Sequence, residues 1–130
     1  MRYKPETIRW MEERSVMLSE RLGRYRTAGT GEPVSPSVLG GLYRTARVSA
    51  GLDDFERVLK LYPSSASARR TNSSGPQSQY LCAELGRLVG EIRVGTTEGR
   101  WRGTEEARAL AAVLGLALRS LKTARGPTGG

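Results

Sequence analysis

The chain has 130 residues, enough for one domain around a single modest core, and a second domain is not expected. It carries 21 Lys and Arg against 13 Asp and Glu, a formal charge of +8, and no His, which disfavours imidazole acid–base catalysis and removes the commonest metal ligand. The single cysteine, Cys82, rules out an intrachain disulfide and suits a reducing, intracellular setting.

From Pro5 to Arg26 the residues Ile8, Met11, Ser15, Leu18, Leu22 and Tyr25 recur at alternating spacings of three and four, the pattern of a helix with one apolar seam. Pro5 and Glu6 suit its first turn, and Arg21, Arg24 and Arg26 suit its negative end. Such regularity predicts that the seam packs on the bundle or pairs with a second copy, with Ile8, Met11, Leu18, Leu22 and Tyr25 as a homodimer interface. Ser15, in the middle of the seam, weakens the pairing.

Thr27 to Pro36 is a turn-rich connector holding Gly29, Gly31 and Pro33. Ser37 then caps a short helix over Val38 to Val48 that buries Val38, Leu39, Leu42, Tyr43 and Ala46. Gly40 and Gly41 inside it cost about 1 kcal/mol each relative to Ala, so this helix needs tertiary support. Asp53 or Asp54 caps a third helix with Leu52, Phe55, Val58, Leu59 and Tyr62 on one face, and Pro63 stops it. Residues 63–78 are Ser-rich, include Arg69 and Arg70, and read as a mobile loop.

A fourth helix from Ser78 to Val94 has Leu81, Leu85, Leu88 and Ile92 on one side and Cys82, Ala83, Gly86, Gly90 and Val94 on the other. Two such faces can pack two neighbours, which makes this helix the expected centre of the bundle. After a glycine-closed loop, Gly95 to Gly103, Thr104 caps a fifth helix with Glu105 and Glu106 in its first turn and a wide apolar face from Ala107 to Leu121. Residues 125–130 read as a disordered tail after a single domain over 1–124. No stretch alternates with period two. The expected fold is an all-α bundle of about five helices with a long N-terminal helix.

Three adjacent carboxylate pairs, Glu12-Glu13, Asp53-Asp54 and Glu105-Glu106, are explained as a solvated face and two helix starts. Cys82 lies among Leu and Ala with no activating partner. Hence no enzyme, metal, cofactor or small-molecule substrate is expected. The most apolar run, Ala109 to Leu118, is too short to span a bilayer, and no secretion signal is recognisable.

Positive charge beside rings is the stronger signal. Five of the seven Tyr and Trp residues have a basic sequence neighbour, and rings next to phosphate-binding Arg are a recurring device of nucleic-acid binders. In the loop, Arg100, Trp101 and Arg102 could reach one ligand together. Opposite the first seam, Trp10, Arg14, Met17, Arg21 and Arg24 form a ridge about 21 Å long. On the fifth helix Arg108, Arg119 and Lys122 flank Ala112 and Gly115, which leave room for a backbone or phosphate. These residues, with Arg69 and Arg70, predict a non-enzymatic protein that grips the backbone of double-stranded RNA or DNA, in the manner of a viral or mobile-element accessory factor. The competing reading is a helical adaptor or inhibitor that grips a partner through the first seam.

Overall fold

The computed structural model describes residues 3–25, 34, 36–62 and 76–129, with the side chains of 76, 77 and 123–129 left aside. Among these residues it is all-α, with helices α1 (Pro5–Arg24), α2 (Pro36–Val48), α3 (Leu52–Leu61), α4 (Pro76–Thr97) and α5 (Glu106–Gly129), and a 3-10 turn at Gly103–Glu105. Residues 63–75, including Arg69 and Arg70, and most of the connector before α2 lie outside the described residues.

α1 forms where its seam predicts. Pro5 opens it, Glu6 lies in the first turn, and Arg21 and Arg24 lie in the last. Met11, Ser15, Leu18 and Leu22 are buried, and the Ser15 hydroxyl donates to the Glu12 carbonyl at 2.7 Å, so it brings no unmet polar group into the core. The seam lies along α5 of the same chain. Ile8, at its start, remains 44% exposed.

The helix at the centre is α5 and not α4. α5 packs against α1, α2, α3, α4 and the 3-10 turn. The reason lies in the width of its apolar surface: Ala107, Ala109, Leu110, Ala111, Val113, Leu114, Ala117 and Leu121 are all buried, and a helix apolar nearly all round belongs inside. α4 uses only its large-residue face, where Leu81, Leu85, Leu88, Val89 and Ile92 are buried. Its small-residue face is not a second packing surface. Ala83 and Gly90 are exposed, Val94 is 54% exposed, and a Cβ placed on Gly86 or Gly90 meets nothing within 4 Å.

Helix starts depart from the expected caps. Gly51 precedes α3 without a side-chain cap, and Asp53 and Asp54 sit in its first turn. Asp53 instead accepts from Arg93 Nη2 at 2.7 Å, and Glu56 accepts from the same nitrogen at 2.8 Å, which pins α3 to α4. The hydrogen bond from Arg93 holds the Glu56 carboxyl below the ordinary carboxylate range. Before α5 the cap is not Thr104. The Glu105 carboxylate takes the Arg102 backbone N–H at 2.9 Å, and the Thr96 hydroxyl donates to Glu106 at 2.6 Å, tying the end of α4 to the start of α5.

Candidate functional site

The residues expected to bind a polyanion divide into two groups. Those on α1 and in the loop after α4 are built into the packing. Arg14 Nε stands 2.7 Å from Glu91 Oε2, both atoms buried, and its Nη1 reaches the Met17 sulfur at 3.3 Å. Arg21 Nη1 pairs with Glu84 at 3.4 Å. Among the described residues Glu84 is the one charged residue that is buried, at 9% exposed, and Arg87 lies on its other oxygen at 3.9 Å. The ridge on α1 is therefore bridged by charge to α4 across a narrow cleft lined by Arg14, Met17, Arg21, Glu84, Arg87 and Glu91. Arg24, at its end, is exposed and has no ion pair among the described residues.

Trp101 is not a stacking platform. It is 5% exposed, its indole N–H donates to the Ile92 carbonyl at 3.0 Å, and its ring meets Trp10 edge-on with centroids 5.3 Å apart. Two glycines make this possible. Gly99, at φ +80°, reverses the chain after α4 in a conformation that side chains disfavour. Gly95 offers bare backbone where a Cβ would overlap the Trp101 ring. Arg100 pairs with Glu98 at 3.1 Å and lies 5.6 Å from the Trp10 ring centre, while Arg14 lies 5.3 Å from the same ring. Only Arg102 of the Arg100-Trp101-Arg102 run is exposed.

The opposite edge of the molecule is different in kind. α2 and α5 meet through reciprocal glycines. Leu118 of α5 lies 3.7 Å from where a Cβ on Gly40 would stand, and the Tyr43 ring of α2 comes within 3.1 Å of the corresponding point on Gly115. This supplies the support that the glycine-bearing α2 requires. It also fills the space beside Gly115 that the sequence left open for a phosphate. Along this seam runs a groove of about 600 Å³, lined by Tyr43, Ala111, Ala112, Gly115, Leu116, Leu118, Arg119 and Lys122.

Around the groove the charge is of one sign. Arg119 and Lys122 are exposed on α5, and Arg44 and Arg47 are exposed on α2. The Arg44 guanidinium lies 3.7 Å from the same point on Gly40 that Leu118 approaches, and Arg47 stands over the Tyr43 ring at 5.7 Å. None of the four has an ion pair among the described residues, in contrast to Arg14, Arg21, Arg93 and Arg100. The cause is compositional. No Asp or Glu occurs between Glu32 and Asp53 or after Glu106, so neither α2 nor the body of α5 can neutralise itself. Arg108, farther up α5, is exposed near Tyr3, whose hydroxyl is held protonated above its ordinary range by burial and by Glu105.

Sequence reasoning selected Arg119 and Lys122 and missed Tyr43, Arg44, Arg47, Leu116 and Leu118. The signal that could have found them is those two acid-free windows, which helical spacing alone does not expose. The dimer residues Met11, Leu18 and Leu22 are buried within one chain, and the Tyr25 ring stacks on Tyr80 of α4 at 4.3 Å. The Tyr80 hydroxyl donates to the Arg21 carbonyl at 3.1 Å. Burial lifts the Cys82 thiol to about 11, which keeps it protonated and inert at neutral pH. Among the described residues no three His, Cys, Asp or Glu side chains gather as a metal site, and no helix is long and apolar enough to cross a membrane.

Comparison of the chain with protein-family models, with curated proteins and with solved structures gives no match.

Proposed function

We propose that this protein binds nucleic acid through its phosphate backbone, using the α2–α5 face, without catalysis and without base-specific readout. The observation that carries the reading is the set of Arg119 and Lys122, which line the groove, with Arg44 and Arg47 beside it, four exposed cations on α2, which has no acid, and on α5, whose one acid is Glu106 in its first turn. Unpaired cations held together on a folded surface raise the local potential and attract a polyanion. Three of the four are Arg, which grips phosphate in a planar fork. Arg102, Arg108 and Arg24, exposed elsewhere, add to the long-range field of a chain with net charge +8.

Binding of this type releases counterions, so affinity falls steeply with salt. The test is fluorescence anisotropy with a random-sequence oligonucleotide at two salt concentrations. The variant Arg44→Gln, Arg47→Gln, Arg119→Gln, Lys122→Gln is expected to retain its fold and bind at least about tenfold more weakly. Its salt slope should flatten by roughly three to four, near 0.9 for each duplex phosphate that is no longer neutralised. A slope unchanged in the quadruple variant moves the site elsewhere. No binding by the unaltered protein at low salt ends the reading.

A further inference from the structure

The cations explain why a phosphate chain would come to the α2–α5 face, but they do not explain the floor between them. That floor is apolar: Ala112, Leu116 and Leu118 line it and are half-buried, as is Tyr43 at its α2 wall. A duplex keeps its base faces stacked inside and offers a protein phosphates, sugars and groove edges. Bound here it would satisfy the four cations and leave the apolar floor covered by nothing that matches it. A single strand can turn its bases outward and lay their flat, weakly hydrated faces on an apolar wall while its phosphates run along a line of positive charge.

We propose that the α2–α5 groove is a single-strand site, with bases on the Ala112–Leu116–Leu118 floor and phosphates on Arg44, Arg47, Arg119 and Lys122. The inference rests on the reading of this face as a phosphate site, and it reverses the preference for duplexes that the charge pattern alone suggests. Tyr43 has a defined part in it. Seated 3.1 Å from where a Cβ on Gly115 would stand and covered by Arg47 at 5.7 Å, it fixes the wall of the groove and the position of one cation at once. The tyrosine hydroxyl makes no hydrogen bond among the described residues and so can donate to a phosphate or a base edge.

The experiment compares a short oligothymidine strand with the matching duplex by competition at one moderate salt concentration, using the unaltered protein. The strand is expected to bind about tenfold tighter, the worth of burying roughly 55 Å² of apolar surface at about 25 cal/mol per Å². Leu116→Gln, which keeps every charge, is expected to lower strand affinity about tenfold and so remove that preference. Equal affinities, or a tighter duplex, in the unaltered protein overturn the single-strand assignment and leave the phosphate reading standing. No affinity for either form at low salt removes both. A helical peptide alternating Leu and Glu faces that displaces the strand at equal concentration overturns the assignment in another direction, toward an acidic protein helix as occupant. If Leu116→Gln does not fold, the strand-against-duplex comparison decides alone.

Discussion

The α1–α4 interface and the α2–α5 face use the same side chain for opposite ends. Between α1 and α4, Arg14 and Arg21 meet Glu91 and Glu84, and their charges are consumed in holding two helices together. α2 has no acid and α5 only Glu106 in its first turn, bonded to Thr96, so Arg44, Arg47, Arg119 and Lys122 have no acid along their own helices to meet them. What decides whether an Arg-rich helix face is glue or bait is the acid content of the neighbouring helix, which its own periodicity does not report.

The largest expected effect tests the glue side at its most buried member. Trp101→Ala removes a ring that is 5% exposed and hydrogen-bonded to Ile92, and should cost about 3–5 kcal/mol in urea unfolding. If the variant stays stable and instead binds oligonucleotide more weakly, Trp101 belongs with the outward-facing set. Arg21→Gln comes next. It leaves the buried Glu84 with only the 3.9 Å approach of Arg87, so unfolding should ease by about 1–3 kcal/mol. Oligonucleotide affinity measured on the same sample should not change.

A smaller effect is expected at the seam of the binding face. Gly115→Ala sets a methyl against Tyr43, and displacing that ring should cost roughly 1 kcal/mol, at the low end for overpacking. Heteronuclear spectra should show the shift confined to Tyr43 and its neighbours. Smallest, and opposite in sign, is Gly90→Ala on the exposed face of α4. Nothing stands within 4 Å of the added methyl, so the gain in helix propensity should stabilise the fold by at most about 1 kcal/mol. Destabilisation there would show that this face is covered by something.

Much of the fold was legible in the sequence. The α1 seam apart from Ile8, the α3 stripe apart from Val58, and the wide apolar face of α5 each declare a helix and the side it buries. Centrality was not, because it depends on how much of the circumference is apolar. In α5 that includes Ala109, fully buried yet outside the apolar face that the spacing picks out. The candidate site was legible only in part. Arg119 and Lys122 follow from α5 alone, whereas Arg44 and Arg47 join them only after Gly40 and Gly115 bring α2 and α5 together. The role of Trp101 turns on Gly95, six positions earlier, whose missing side chain makes the seat for the indole. Arg69 and Arg70 lie outside the described residues and add nothing to either account.

The chain has no His, the side chain that most often confers a switch near neutral pH, and the groove cations are three arginines and one lysine. A surface of this make has no acid trigger. Oligonucleotide affinity at fixed ionic strength should run flat from about pH 5 to pH 8. On the proposed reading, release is expected through a change in salt or a rival polyanion.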